Sequence, residues 1–364
     1  MSGGQVYQPK VLPVSIEGVE LNPWAVKTLM HNRPRWGIQQ ADVHDYNPQL
    51  PERPDVLLAG FPCQGFSLGG DRDSHDSRNL LYRQVIRIAR VSRPRVIVIE
   101  NVLNLRTMLT PDTMKPFAEQ IASELEGIGY QVFIDIFKVS GFGVPQTRRR
   151  FLFVAFLGGA PAGYHLPVPG RPVSIRPFLH DLAQGSTFIP EGDHLPNHDP
   201  AWGFQSAVHT ETGAPFDMSD EVIPVRFSRT ASDGHPVRSF DEPFPAVDTA
   251  TVWGWAQGQV QAARVSKDRQ TEKFIRNPEA TVTLWRISAS RLRTFTHREY
   301  ARLQTFPDDW EFLGRNKRDI HQQIGNAVPV EFARRVAHNV RDGLQALDSK
   351  QAFGDQGRKQ VTLF

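Results

Sequence analysis

Cysteine is nearly absent from this chain: Cys63 is the single thiol among 364 residues. That excludes an intrachain disulfide and a zinc site built on several thiolates, and it suits a reducing compartment. Long apolar runs are absent too. No stretch approaches the roughly 20 residues of a membrane-spanning helix, and Met1-Ser2-Gly3-Gly4 lacks the charged and apolar regions of a secretory leader. The expectation is a cytoplasmic protein without membrane attachment. There is no internal repeat. Neither sign of charge dominates: 42 Lys and Arg against 39 Asp and Glu leave a formal +3, with a pI near 9.0. Such a balance permits a polyanionic partner without requiring one. What the chain does have is length and apolar content enough for one large domain and a smaller one.

The lone cysteine sits in Gly60-Phe61-Pro62-Cys63-Gln64-Gly65-Phe66-Ser67. Val56-Leu57-Leu58-Ala59 before it reads as a short, buried parallel strand, so Cys63 falls where open α/β sheets place their chemistry. Pro62 fixes φ and removes a donor, while Gly60 and Gly65 allow sharp turns. A buried cysteine of the core needs no such frame.

Other segments fit the same architecture. Val11 to Glu20 alternates and reads as a strand closing on an acid, followed by a helix in which Pro23 suits the first turn. Glu20 is placed either to meet a ribose diol or to serve as a solvated cap; Asp42 ends the next strand. Leu80, Leu81, Val85, Ile88 and Ala89 recur at helical spacing. Val96-Ile97-Val98-Ile99 is a continuous β-branched run, the mark of a strand covered on both faces, and it delivers Glu100-Asn101-Val102. A helix over Met114–Leu125, a strand over Val132–Phe137, the loop Gly141–Pro145 and a strand over Phe151–Ala155 complete a doubly wound, mostly parallel α/β sheet. From Leu157 to Thr283 proline, glycine, histidine and aspartate are dense and periodicity is lost, which predicts a smaller, irregular, β-containing domain. Its Trp202, Phe204, Arg226, Arg229, Trp253 and Trp255 suit either nucleic-acid contact or that domain's own core. Helical signals return at Thr296–Gln304 and after Pro329. The boundaries expected are 1–156, 157–283, 284–345 and a polar tail, 346–364.

Three loop or strand ends thus carry a thiol (Cys63), a carboxylate (Glu100) and guanidinium groups (Arg148, Arg150). A cysteine hydrolase would need a histidine in a comparable motif, and His44 and His75 both read as surface residues. A thiolate beside an acid and an arginine suits addition to an electron-poor ring. The thiol adds to a carbon, the acid meets a ring nitrogen, and the arginine orients and stabilises.

At this level the chain resembles the DNA (cytosine-5)-methyltransferases of bacterial restriction–modification systems. The Cys63 loop is similar to the family's nucleophile loop, and Glu100-Asn101-Val102 to its Glu-Asn-Val motif. Gln146-Thr147-Arg148-Arg149-Arg150 resembles the Gln-x-Arg-x-Arg motif, Arg298 to Pro307 the helix supporting the recognition domain, and Gln323–Pro329 the last motif. The resemblance spans about Gly18 to Val340 apart from 157–283. It implies a class I S-adenosylmethionine-dependent methyltransferase fold, with S-adenosyl-L-methionine as methyl donor, no metal, and double-stranded DNA as substrate. By the same resemblance Cys63 attacks C6 of a flipped cytosine. Glu100 contacts N3 and the exocyclic amine, while Arg148, supported by Arg150, orients the base. Glu20 holds the cofactor ribose, Leu21 (commonly aromatic in the family) faces the adenine, and Asp42 and Val43 meet its edge. Leu81, Asn326 and Val328 complete the pocket, and 157–283 is the target-recognition domain. A monomer and a cognate restriction endonuclease acting on the same site are expected.

The resemblance breaks at the start. The family opens with a strand ending Asp-Leu-Phe-x-Gly-x-Gly-Gly, for which this sequence has no equivalent beyond Gly3-Gly4. Met1 is therefore expected to be an internal methionine, with the natural start about twenty residues upstream. A competing reading makes Val361-Thr362-Leu363-Phe364 that strand, although no glycine turn follows it. Two further readings stand beside the enzyme: a DNA-binding remnant impaired in methyl transfer, and a transfer-RNA methyltransferase of the same fold.

Overall fold

A computed structural model describes residues 15–48, 52–61, 80–183, 204–206, 222–226, 241, 243–249, 252–264, 283–350 and 353. The chain opens with β1 (Glu17–Glu20), α1 (Pro23–Asn32) and β2 (Gly37–Gln40). Asn22 starts α1 by accepting from the amides of Trp24 and Ala25, with Pro23 in the first turn as its sequence position implies. β1 and β2 pair in parallel, Glu20 opposite Gln40, as a two-stranded sheet.

The central sheet holds β3 (Val56–Ala59), β4 (Val96–Asn101), β5 (Tyr130–Lys138) and β6 (Arg149–Leu157) in the order β3-β4-β6-β5. Its wall is built by alternation. Ile97 and Ile99 of β4, with Phe151, Phe153 and Ala155 of β6, face α2 (Tyr82–Ser92) and α3 (Phe117–Gly127). Val96 and Val98, with Leu152, Val154 and Phe156, face α7 (Val330–Ser349). Every second residue thus enters one of two cores, which is why Val96–Ile99 and Phe151–Phe156 are apolar without a break. Phe332, Val336 and Val340 form the stripe on α7. Gly343 continues it: a Cβ there would stand 2.9 Å from the ring of Phe156, so only glycine lets the helix lie this close.

The doubly wound α/β expectation holds, with two corrections. The sheet is mixed, because β6 runs antiparallel to both β4 and β5. No helix separates β5 from β6, only the 3₁₀ turn Val139–Phe142 and a short loop, and such a link joins neighbouring strands only head to tail. The second correction concerns β3. It does pair in parallel with β4, but it is not buried on both sides: Leu58 is 73% and Val56 36% exposed.

A second sheet, β7-β10-β9-β8, is antiparallel and built from β7 (Phe204–Ser206), β8 (Val222–Arg226), β9 (Trp253–Arg264) and β10 (Thr283–Thr294). Its root rests on α4 (Arg176–Ala183), α5 (His297–Leu303) and α6 (Lys317–Asn326), around a core of Phe244, Val247, Trp253, Trp255, Phe295 and Tyr300. Trp253 and Trp255 are 2% and 0% exposed, so of the two readings open to them the structure selects the core. Among the described residues no helix is long and apolar enough to cross a membrane.

Candidate active site

Glu100 stands near the carboxyl end of β4, where the apolar run gives way to polar residues. Arg150, the second residue of β6, reaches it across the antiparallel pair: Nε of Arg150 and Oε1 of Glu100 form an ion pair with both side chains largely buried. Burial pushes the Glu100 carboxyl above its ordinary value, and the Arg150 charge opposes that rise without cancelling it. A carboxyl so poised can donate as well as accept. Gly60, one residue past β3, lies alongside, since a Cβ on it would be 3.9 Å from Oε2 of Glu100.

Arg148 does something different. Its Nη1 donates to the backbone carbonyls of Val247 (2.9 Å) and Gly325 (2.7 Å), and the residue is 9% exposed. The guanidinium therefore clamps two distant segments at the end of β6. Gly325 is tightly set against residues 248 and 249: a Cβ there would meet Oxygen and carbon of the Asp248 carbonyl at 3.1 Å.

Beneath the clamp lies a pair of fully buried amides. Gln146 donates to the carbonyl of Leu303 (2.7 Å) and to Oε1 of Gln304 (2.9 Å), and accepts from the amide of Val247 (3.1 Å). Gln304 donates to the carbonyl of Ile324 (2.7 Å). Buried amides need such partners, and here they join the strand loop, α5, the 243–249 segment and α6 into one unit. The sequence reading quoted both glutamines without giving either a role. Both lie in surroundings of mixed polarity in sequence, and partners 158 positions apart leave no local pattern.

The second sheet is fastened to the same unit. Nε1 of Trp255 donates to Glu299 (2.5 Å), the backbone amide of Trp253 donates to the Tyr300 hydroxyl (2.7 Å), and Thr296 and Glu299 form a reciprocal cap on α5. Phe204 and Arg226 lie on β7 and β8, whereas Trp202 and Arg229 fall outside the described residues.

Cys63 also lies outside the described residues. Glu20 and Asp42 are brought to one end of a parallel pair: Glu20 closes β1, and Asp42 follows the end of β2 by two residues. Oε1 of Glu20 accepts from the Asn22 amide (2.7 Å), and Oδ1 of Asp42 accepts from the His44 amide (2.9 Å) and faces its ring (2.7 Å). The hydrogen bonds from His44 hold the Asp42 carboxyl below its usual value. Each acid keeps a second oxygen for a ligand. Leu21 beside them is 65% exposed. Val43 is held through its carbonyl by Arg87 of α2 (2.9 Å), the helix that Leu81 immediately precedes. Asn326 closes α6 with its side chain exposed, and Val328 packs against the core under α7. Two carboxylates at adjacent strand ends beside an exposed apolar residue suit a ribose diol and a purine face. Among the described residues no cluster of three or more histidine, cysteine or acidic side chains is arranged for a metal.

Comparison with known proteins shows the family of the chain. The model of the C-5 cytosine-specific DNA methylase family matches residues 14–342. The type II methyltransferase M.Eco47II of Escherichia coli is 29% identical over 337 residues, covering 88% of this chain and 72% of its own. M.DdeI of Desulfomicrobium norvegicum is 26% identical over 360 residues, covering 90% and 83%. Among solved structures, a putative DNA modification methyltransferase encoded in an E. coli prophage superposes with a TM-score of 0.58 at 19% identity, covering 91% of this chain and 93% of its own. The S. pombe Dnmt2 methyltransferase superposes at 0.53 and 18%, covering 90% of each chain. At those identities the two structures speak for the fold.

Proposed function

The chain belongs to the C-5 cytosine-specific DNA methylase family, and from that premise we propose that it methylates C5 of a cytosine in double-stranded DNA through a covalent adduct on Cys63. The observation that carries the chemistry is the buried Glu100–Arg150 pair with Gly60 alongside. Cys63 follows Gly60 by three residues, a span of at most about 11 Å, which is compatible with attack on a ring held against Glu100.

In this reading the Cys63 thiolate adds to C6 of the flipped base, forming the S–C6 bond and sending the electron pair toward C5 and N3. Glu100, its carboxyl raised by burial, hydrogen-bonds N3 and the exocyclic amine and neutralises the charge arriving there. Arg150 holds Glu100 in place, while Arg148 fixes the carbonyls around the base's side of the site. Bound S-adenosyl-L-methionine supplies an electrophilic methyl group; Glu20, Leu21, Asp42, Val43, Leu81, Asn326 and Val328 are the residues assigned to hold it. After C5 is methylated, loss of its proton restores the double bond and expels Cys63. Residues 157–283 act as the target-recognition region, and 1–156 with 284–345 as the catalytic body. We further infer a cytoplasmic monomer paired with an endonuclease that cuts the same site.

Duplex DNA carrying 5-fluorocytosine tests the adduct, because fluorine cannot leave C5 as a proton does. With S-adenosylmethionine present, the full chain should form a DNA-linked species that survives denaturation, and Cys63→Ala should form none. Methyl transfer that persists in Cys63→Ala, or that marks transfer RNA in place of DNA, would refute the reading.

A further inference from the structure

Arg87 stands midway along α2 and is half-buried, while Tyr82, Val85, Ile86 and Ala89 fill the core side of that helix. Among the described residues no carboxylate pairs with it. Nε donates to Oε1 of Gln84 (2.7 Å), Nη1 to Oδ1 of Asn47 (2.8 Å), and Nη2 to the carbonyls of Val43 (2.9 Å) and Tyr46 (2.7 Å). Three of these acceptors fall directly after Asp42, 40 to 44 positions before Arg87. A planar fork of donors suits several fixed oxygens at once, which a single ammonium does not.

The turn gripped in this way is the one that carries Asp42. Its own backbone bonds are long: the Asp45 amide donates to the Asp42 carbonyl at 3.1 Å and the Tyr46 amide to the Val43 carbonyl at 3.4 Å. At its start the Ala41 amide donates to the Glu20 carbonyl (3.2 Å), which ties it to β1. Among the described strands β1 and β2 pair only with each other, so no strand ladder links the turn to the central sheet. Arg87 supplies a link through α2. The same helix is immediately preceded by Leu81. One guanidinium thus joins the Asp42–Val43 side and the Leu81 side of the pocket assigned to the cofactor.

We propose that Arg87 is a positioning residue for the adenosine end of S-adenosyl-L-methionine: by gripping residues 43–47 from α2 it keeps Asp42 and Val43 in register with Leu81. This role rests on the reading of those three residues as the cofactor's. Arg87 acts through the turn, its donors being committed to protein oxygens. Such a residue serves ground-state binding, so its loss raises KM and spares kcat.

The parent chain, Arg87→Met, Arg87→Lys and Asp42→Asn test it together. Hydrogen exchange without ligand reads the turn directly: residues 43–47 should exchange about tenfold faster in Arg87→Met, with β4 and β6 unchanged. Calorimetric titration with S-adenosylhomocysteine should show about tenfold weaker binding by Arg87→Met, the worth of one hydrogen bond to a charged group. The KM for S-adenosylmethionine should rise to match, while kcat at saturation and the KM for DNA stay within about twofold. Arg87→Lys keeps the charge without the fork and should bind as weakly as Arg87→Met. A lower urea midpoint with unaltered affinity and KM would overturn the proposal, leaving Arg87 a purely structural residue. So would parental affinity in Arg87→Lys. Asp42→Asn tells the two failures apart: if it too binds as the parent does, the pocket assignment has failed, and if it alone weakens binding, only the role of Arg87 has.

Discussion

Glu100 and Arg150 meet across an antiparallel strand pair, from positions offset by two residues, with both side chains largely removed from solvent. Removing either partner strands the other. Arg150→Met should destabilise the fold by about 3–5 kcal/mol, read as a lowered urea midpoint. It should also raise the Glu100 carboxyl further, since the one opposing charge is gone. A variant as stable as the parent would show that the pair is solvated in solution.

Gln304→Leu keeps the volume of the side chain and deletes its polar atoms. Gln146 then loses one acceptor and the carbonyl of Ile324 loses its donor, both in the interior. Each unsatisfied group costs about 1–3 kcal/mol. For two such groups the expected outcome is a loss of about 2–6 kcal/mol, together with a lower methyl-transfer rate because the supports of Arg148 shift. An unchanged denaturation curve would contradict it.

Gly325→Ala sets a methyl group 3.0 Å from Thr249 Cγ2 and 3.1 Å from the Asp248 carbonyl. The neighbour is mostly backbone, so the strain is not relieved by a rotamer change. Overpacking of this kind costs about 1–3 kcal/mol, and calorimetric melting should show it. Because Arg148 holds the Gly325 carbonyl, activity should fall by more than stability alone accounts for.

His297 gives a dependence on acidity. Burial, and then the neighbouring His321, lower its pKa from 6.5 to about 4. The unfolded chain therefore takes up a proton below pH 6.5 that the folded chain declines. Its contribution is complete above that value and is lost as pH falls toward 4. His321, lowered by its own burial, acts in the same direction. Urea midpoints should drop between pH 7 and pH 4.5, with up to about 3 kcal/mol from His297. His297→Gln should flatten that part of the slope, and a parallel profile for the variant would contradict the assignment.

The half that holds the central sheet was legible because its signals are local. An unbroken β-branched run announced β4, and an Asn-Pro step announced the start of α1. The motif residues Glu100, Arg148 and Arg150 sat at the strand ends where the pattern placed them. What sequence reading could not supply was pairing at long range. Nothing local says that Trp255 will donate to Glu299, 44 positions away, or that Gln146 will meet Gln304. Nor could periodicity distinguish an edge strand from a central one, and so the exposure of Leu58 was missed: a short apolar run looks the same in both places. The direction of β6 was hidden for the same reason.

Val247 is gripped twice, its carbonyl by Arg148 and its amide by Gln146, and neither contact touches its side chain. The atoms held are ones that nearly every amino acid possesses. The attachment thus rests on the backbone, while the side chain of Val247 packs separately in the core with Phe244. Such a fastening is blind to the side chain it holds, so a substitution at residue 247 that keeps the packing leaves the joint between Arg148 and Gln146 as it was.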